Sequence, residues 1–449
     1  MQTATKNQVD DVLPITHLAA YGMQHVLAFY AGAVLVPIIV AGALHLGRGE
    51  LIRLINADLF TCGIASLLQS VGIGRIGVRL PLLQGVTFAA VGPMVAIGLA
   101  AGGGLPGLRM IYGAVIIGGI FTYLAAPYFA RLLKFFPPVV TGTVILMIGI
   151  ALLPVAAADV VMGAGPNAMQ NPVGGTHVLY ALGTLGLIVA IQRIFGGFMA
   201  TIAVLIGLVA GSLTAWALGD AQFADVAAAP WVGATLPFAF GLPHFNLTAV
   251  LSMIVVMLVT MVETTGDVFA TGEIVGRDIV ADDIARALRA DGLATLLGGI
   301  LNSFPYTCFA ENVGLVRLTQ VKSRWVVAAA GVIMMLLGSL PKAAAIVAGI
   351  PLPVLGGAAL AMFATVAVVG IQTLAKVDFE NHANMVIVGT SVGLGMLVTA
   401  QPYVADAFPP WAHIIFGSGI TLASVTAIVL NIAFHHWPGT KDGKKALLF

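Results

Sequence analysis

Charge is what this sequence has least of. Only 9% of its 449 residues are Asp, Glu, Lys or Arg, against about 25% in a soluble globular chain. Hydrophobic residues make up 59%, and the mean hydropathy is +1.03. A water-facing surface cannot be built from so few charges. The length would suit two or three soluble domains, but the composition overrules that and reads as a polytopic membrane protein. The 20 Lys and Arg against 19 Asp and Glu leave a net charge of +1, with no basic excess for nucleic acid and no acidic partner implied. Cysteine is nearly missing too. Cys62 and Cys308 both lie in apolar surroundings, which excludes a disulfide framework and a CxxC metal site. No G-x-x-x-x-G-K-(S/T) occurs, since the C-terminal GTKDGKK has the wrong spacing, and so ATP-driven pumping has no support. There is no HExxH, and the nine histidines are scattered apart from His435-His436, which read as interfacial beside Trp437. Neither a metal nor any other cofactor is expected.

Apolar runs are abundant. Counting stretches of about 20 mainly apolar residues gives fourteen segments, making the fold class an all-α polytopic membrane protein. Seven lie near 14–44, 52–73, 82–101, 107–130, 137–157, 177–192 and 196–218. Seven more lie near 247–275, 282–300, 306–319, 324–340, 346–370, 384–400 and 413–434. Hydropathy alone leaves twelve or thirteen as the rival count. The opening MQTATKNQVDDVLP carries two acids and no basic stretch before an apolar core, so it does not read as a cleaved signal.

The distribution of basic residues tests the count. With the N-terminus inside, one side holds Lys6, Arg75, Arg79, Arg131, Lys134, Arg193, Arg277, Arg286, Arg289, Arg317, Lys322, Arg324, Lys376, Lys441, Lys444 and Lys445, which is 16 of 20. The other holds Arg48, Arg53, Arg109 and Lys342. A wrong count would scramble this split, so it favours fourteen spans with both termini cytoplasmic. The short loops and tails favour a bacterial inner (plasma) membrane.

The chain also repeats at half its length. Pro138-Val139-Val140-Thr141-Gly142 opens the fifth segment, and Pro353-Val354-Leu355-Gly356-Gly357 opens the twelfth, 215 residues later. Pro81 enters the third segment and Pro305 the tenth, 224 residues later. Seven is odd, so the second copy must be inverted in the membrane. Inverted repeats with interrupted helices at matching positions mark transporters, and the interruptions point to the binding site. The third segment, PLLQGVTFAAVGPM, and the tenth, PYTCFAENVGLV, each begin with a Pro-led irregular stretch before a helical run. Such backbone survives at membrane depth only when buried in protein or lining a polar cavity. If the two stretches meet, their helix N-termini offer N–H groups and positive partial charge to a polar, flat or anionic solute.

Ionisable side chains inside a bilayer mark functional sites by default. The candidates are His25 after Gln24, Glu263 with Asp267 one turn on, Asp291, and Glu311 beside Asn312. A structural histidine tying two helices is the plainer reading of His25, and bracing of the broken helices that of Asp291. Asp267 faces the same way as Glu263 and reads as a helper or hydrogen-bond acceptor. Glu263 and Glu311 have no Lys or Arg within one turn inside the membrane, and two such buried carboxylates cannot both stay ionised cheaply. They suit proton exchange and a solute with adjacent N–H donors, because an ionised carboxylate only accepts.

At these residues the sequence resembles the nucleobase–ascorbate transporter family, also called nucleobase-cation symporter-2. The family signature runs Gln, Glu or Pro, then Asn-x-Gly, four residues, Thr, and finally Arg, Lys or Gly. Here Glu311-Asn312-Val313-Gly314-Leu315-Val316-Arg317-Leu318-Thr319 matches, and Gln320 departs at the last position. The resemblance extends to Gln24-His25, Glu263-Thr264-Thr265-Gly266-Asp267 and Arg289-Ala290-Asp291-Gly292, in order along essentially the whole chain. It implies a core domain (1–135 with spans 1–4, 247–342 with spans 8–11) and a gate domain (136–246 with spans 5–7, 343–449 with spans 12–14 and the C-terminal tail). It also implies a homodimer in the lipid bilayer and elevator-type transport.

By the same resemblance Glu263 is the main substrate acceptor and Glu311 its partner across the ligand. Asn312 orients the broken helix, while Asp291 and His25 brace the site and help proton coupling. Thr87 lines the pocket from the other repeat, and Phe88 is a stacking candidate. The context most resembles the uric acid and xanthine branch, which usually has Gln where this chain has Glu311; uracil permeases typically have Glu there. The implied function is proton-coupled uptake of uric acid or xanthine, with a uracil:proton symporter as the alternative. An anion carrier or channel of the related seven-plus-seven fold is the alternative of another class, and an intramembrane enzyme using Glu263 and Asp267 is a further one.

Overall fold

The computed structural model describes residues 8–132, 135–161, 175–221, 223–409, 412 and 416–437. Lys6, Lys134, Lys441, Lys444 and Lys445, and with them the C-terminal tail, lie outside the described residues. The first half runs α1 (Ile15–Ala43), α2 (Arg48–Ser70), strand β1 (Gln84–Val86), α3 (Val91–Ala100), α4 (Gly104–Phe129), α5 (Pro138–Val161), α6 (Gly175–Ile194), the short α7 (Phe198–Thr201) and α8 (Ala203–Ala217). A linking helix α9 (Ala224–Ala228) leads into α10 (Leu247–Val275), α11 (Ala281–Ile300), strand β2 (Tyr306–Cys308) and α12 (Ala310–Thr319). The chain closes with α13 (Arg324–Gly338), α14 (Pro341–Ala348), α15 (Leu352–Leu374), α16 (His382–Ala400) and α17 (Gly419–Asn431).

Among the described residues, nine helices are long and apolar enough to cross a membrane, or ten if the bent pair α13 and α14 is counted as one span. The other four segments are β1 with α3, α7 with α8, α11, and β2 with α12. The strand-led pair are partly extended, and α11 carries Asp282, Asp283, Arg286, Arg289 and Asp291. All fourteen expected segments are therefore present in order.

Most ends fall within about four residues of expectation, and the boundary between the eleventh and twelfth segments differs most. The eleventh segment does not stop near residue 340; it bends by 81° and continues as α14 to Ala348, so the twelfth starts at Leu352 rather than near 346. Pro341 is the cause. It has no N–H to continue the α13 ladder, and its fixed φ suits the first turn of a new helix.

The polarity of the molecule is inverted relative to a soluble protein. Leu124, Leu179, Leu213, Leu336 and Ile371 are exposed along the spans, whereas Asp58, Gln69, Gln84, Thr264 and Asp291 are fully buried. An apolar exterior around a polar interior is what hydrocarbon as solvent selects. This is a multi-pass membrane protein.

Packing follows the repeat. Matching the halves in order pairs α1 with α10, α2 with α11, β1–α3 with β2–α12, α4 with α13–α14, α5 with α15, α6 with α16, and α8 with α17. Under that exchange the contacts map onto themselves. Helix α2 packs on α13 as α11 packs on α4, and α1 meets α13 as α10 meets α4. Helix α6 packs on α15 as α16 packs on α5, and α8 meets α15 as α17 meets α5. Three elements, β1, α2 and α5, pack on their own counterparts, so the pseudo-two-fold axis passes between them.

Glycines set the distance at the equivalent crossings. A methyl group on Gly63 of α2 would overlap the α13 backbone at Gly331 and Met335, and one on Gly292 of α11 would overlap the α4 backbone at Tyr123 and Gly119. Small residues let membrane helices approach this closely, where dispersion and not water drives association. Gly292→Ala is expected to cost about 1–3 kcal/mol by overpacking, read as a lower melting temperature in detergent. Gly183→Ala, which meets nothing within 4 Å, is expected to leave it unchanged.

Candidate functional site at the broken helices

The two Pro-led stretches meet, but as strands rather than unwound coil. β1 and β2 pair antiparallel, with Gln84 opposite Cys308, Gly85 opposite Thr307 and Val86 opposite Tyr306. The ladder runs on through Thr87 N–H to the Pro305 carbonyl (2.9 Å) and Phe309 N–H to the Leu83 carbonyl (3.1 Å). Each repeat thus satisfies the other's backbone at membrane depth, where no water can do so. Gly85 has to be glycine, because a Cβ there would run into the rings of Phe29 and Phe309.

Side chains tie both ends of this small sheet to the surrounding helices, and they do it twice in the same way. Gln84, which opens β1, donates its backbone N–H to Ser66 Oγ on α2 at 3.0 Å and its side-chain amide to Asp291 on α11. Tyr306, which opens β2, donates its backbone N–H to Thr295 Oγ1 on α11 at 3.0 Å and its hydroxyl to Asp58 Oδ1 on α2 at 3.2 Å. Each strand is therefore anchored by a hydroxyl of its own repeat and an aspartate of the other. Asp58 and Asp291 are each the eleventh residue of their helix. Each takes a second donor: Ser303 Oγ to Asp58 at 2.8 Å, and Thr264 Oγ1 to Asp291 at 2.5 Å.

Beyond the sheet lies a cavity of about 180 Å³, lined by Phe88, Ile145, Glu263, Asp267, Thr307–Glu311, Gly314, Thr365, Val366 and Val369. Its polar wall comes from α10, β2 and the first turn of α12, and its apolar wall from α5 and α15. No Lys, Arg or His lines it among the described residues. Asp267 Oδ2 is buried without a hydrogen-bond partner, an acceptor left open in the wall. A second cavity, of about 480 Å³, shares Glu311, Gly314 and Thr365 and runs along Gln192, Thr201 and Leu318 toward the end of the bundle bearing Arg193 and Arg317.

The sequence candidates occupy distinct places around this cavity. Glu263, Asp267, Glu311 and Phe88 are in the wall. Thr87 is fully buried behind it; its hydroxyl accepts from Ala89 N–H and donates to Glu263 Oε2, both at 3.2 Å. It couples the start of one broken helix to the carboxylate of α10. Asn312 also stands behind the wall: its Oδ1 accepts from Leu83 N–H at 2.8 Å and its Nδ2 meets His25 Nδ1 at 2.6 Å. Because Leu83 N–H can only donate, Asn312 presents its NH₂ to His25. His25 Nδ1 is therefore an acceptor here, and the imidazole proton sits on Nε2. Asp291 does not reach the wall but holds Gln84 and Thr264, and Thr264 holds Thr307 (3.1 Å).

A family model described as "Permease family" matches residues 16–404. The chain belongs to this family, that of the nucleobase–ascorbate transporters. The uric acid permease PucK of Bacillus subtilis is 43% identical over 417 residues, 93% of this chain and 95% of the relative. The uric acid transporter UacT of Escherichia coli is 42% identical over 443 residues, covering 98% and 91%, and a xanthine permease of B. subtilis is 42% identical over 414, covering 92% and 93%. Among solved structures, the transmembrane domain of the cyanobacterial bicarbonate transporter BicA superposes with TM-score 0.62 at 16% identity, covering 94% of this chain and all of that one. SLC26A9 does so with TM-score 0.59 at 10% identity, covering 94% and 66%. These last two share the permease's fold of two inverted seven-span repeats.

Several residues of the permease's site were missed by sequence reasoning: Gln84, Thr264, Thr307, Thr365 and, above all, Asp58. Asp58 met the same criterion as Asp291, an acid inside an apolar span, and the repeat pointed to it once α2 was matched with α11. If Asp58 anchors β2 through Tyr306, Asp58→Ala should lower stability by about 1–3 kcal/mol, because buried hydroxyls are left unsatisfied. Adding Tyr306→Phe should then cost less than it does alone. Additive losses in detergent unfolding would contradict the linkage.

Proposed function

We propose that this permease carries a purine nucleobase, uric acid or xanthine first, across the cytoplasmic membrane, coupled to protons. The observation that carries the reading is the chemistry of the cavity wall. Glu263, Glu311 and Asp267 converge there with no basic side chain beside them, so the wall accepts hydrogen bonds and repels anions that cannot donate. An oxidised purine offers adjacent ring N–H groups to such acceptors. Its carbonyl oxygens suit the N-terminus of α12, where N–H groups and the helix dipole favour negative partial charge. Phe88 offers a ring for its face. The relatives named for uric acid and xanthine support purine over uracil, and the carboxylates argue against a simple anion carrier despite the shared fold.

In this reading Glu263 is the principal acceptor, Glu311 its partner across the ligand, and Asp267 a third acceptor. Thr87, Asn312, His25 and Asp291 hold these groups in place, and the carboxylate cluster is where a coupling proton is taken up and released. The cavity's two walls support a core of spans 1–4 and 8–11 sliding against a gate of spans 5–7 and 12–14. The polar wall would move with the core, while Ile145, Thr365, Val366 and Val369 of the gate present apolar side chains and one hydroxyl. The second cavity, leading from Glu311 toward the basic end, supports a conformation open to the cytoplasm, with both termini on that side. A homodimer through the gate completes the proposal.

Uptake of labelled uric acid, xanthine, guanine and uracil into cells expressing the chain tests it. Uric acid or xanthine should accumulate and a protonophore should abolish the accumulation; entry of uracil alone, or of bicarbonate or sulfate without nucleobase competition, would overturn it. Glu263→Ala should weaken apparent affinity by about 1.5–3 kcal/mol, roughly 10- to 100-fold. Glu311→Gln should shift the preference among nucleobases, and equal uptake of all four by the variant and the wild type would remove Glu311 from selectivity.

A further inference from the structure

A third cavity shares no lining residue with the proposed nucleobase site and lies among the clustered basic residues. It has a volume of about 410 Å³ and is lined by Val9, Asp10, Val78, Arg79, Arg277, Arg286 and Arg324. Four guanidinium groups from four separate segments converge on it: the α2–β1 connection, the residues after α10, the second turn of α11 and the start of α13. Backbone hydrogen bonds lock these segments together. Gly77 N–H donates to the Arg286 carbonyl and Arg324 N–H to the Val9 carbonyl, each at 2.9 Å. Arg277 Nη1 reaches the Val78 carbonyl at 3.2 Å, and Arg324 Nη1 reaches those of Ser70 and Val71 at 2.9 and 3.0 Å. The cavity is thus a built feature, not a chance gathering of mobile surface arginines.

Its charge is not balanced from within. Arg277 pairs with Asp283 at 2.5 Å, Arg286 with Asp282 at 2.8 Å through Nε, and Arg324 with Asp10 at 2.6 Å through Nε. The Arg79 guanidinium has no hydrogen-bond or ion-pair partner among the described residues. Three carboxylates therefore face four guanidinium groups. Arg79 also adopts φ +59°, a left-handed conformation that side-chain-bearing residues rarely take and that glycine would satisfy freely. A strained backbone presenting an unpaired arginine to an arginine-walled cavity calls for a ligand.

We propose that this cavity binds a phosphate group, held by Arg79 and Arg286 with Arg277 and Arg324 as the fixed frame. Guanidinium is the side chain best matched to phosphate, through paired N–H donors and a charge that is never lost. The neighbouring surface says where the phosphate comes from. Ile73, bridged to Ile76 at the base of a turn whose tip carries Arg75, is 64% exposed, an exposed apolar and a basic residue together, the combination that suits an anionic lipid surface. The headgroup of an anionic phospholipid is therefore the first source, and a soluble phosphate ester the second. Such a ligand would tie together the connections of the unit that carries the nucleobase site. The proposal rests on the functional reading only for its sidedness, and its test uses no nucleobase.

The purified full chain is examined by native mass spectrometry after exchange into micelles containing phosphatidylglycerol or phosphatidylcholine, and separately with inorganic phosphate. Phosphatidylglycerol should be retained over phosphatidylcholine, and Arg79→Gln with Arg286→Gln should reduce retention roughly 10- to 30-fold, the loss expected for two arginine–phosphate contacts. Arg75→Gln, outside the cavity, should not change it. Arginine-dependent binding of inorganic phosphate, with no preference for phosphatidylglycerol, would keep the site and assign it to a soluble ester. Retention that is the same in the wild type and the folded double variant, with melting temperature as the check on folding, would overturn the proposal.

Discussion

Everything at the centre of this permease depends on one contact, the three-residue pairing of β1 with β2. Two helices are broken in mid-membrane, and each break exposes backbone groups that hydrocarbon cannot satisfy. The inverted repeat resolves this by bringing the two breaks face to face on the pseudo-two-fold axis, where each supplies the other's partners. What remains is the start of each helix that follows, where Thr87 takes the Ala89 N–H and other first-turn N–H groups are left to a ligand. Those N-termini are the resource the fold offers to a solute, and they exist only because the extended segments before them are held.

The anchoring explains why so many buried polar residues surround so small a sheet. Asp58 and Asp291 each collect at least two side-chain donors, one from the opposite repeat's strand, so neither strand can shift without breaking a buried hydrogen bond. From the Asp291 end the chain of contacts runs through Thr264 to Thr307 in the cavity wall. From the other strand it runs through Thr87 to Glu263. Asn312 closes the ring by joining Leu83 of the first repeat to His25 of α1. Glu263, which faces the cavity, is thus positioned by a threonine that does not line it, while the opposite wall from α5 and α15 is mostly apolar. Firm polar contacts on one side and a mostly apolar surface on the other suit a binding unit that slides against its neighbour.

Much of this was legible in the sequence, and the parts that were not have physical reasons. Low charge and long apolar runs gave the span count, because a bilayer imposes its thickness on every segment. The prolines gave the repeat and the breaks. The pairing of the breaks was not visible, since three-residue strands leave no alternation to read. The anchors were hidden differently: Gln84 with Ser66 and Tyr306 with Thr295 do equivalent work with dissimilar side chains, so the symmetry is one of hydrogen bonds and not of residue identity. Asp58 was passed over although it met the same criterion as Asp291, an acid inside an apolar span, and the repeat links the two. The start of the twelfth span was misplaced because the apolar run through Ala343–Val347 continues smoothly in composition across the 81° bend at Pro341.

The central claim is that the paired breaks and the carboxylates beside them form one binding site for a planar N–H-donating solute. A structure of the permease with uric acid or xanthine bound tests it most directly. The account predicts the ring beside Phe88, with its N–H groups on Glu263 and Glu311 and a carbonyl oxygen at the first turn of α12. A ligand seated elsewhere, or held with neither carboxylate within hydrogen-bond distance, would contradict it.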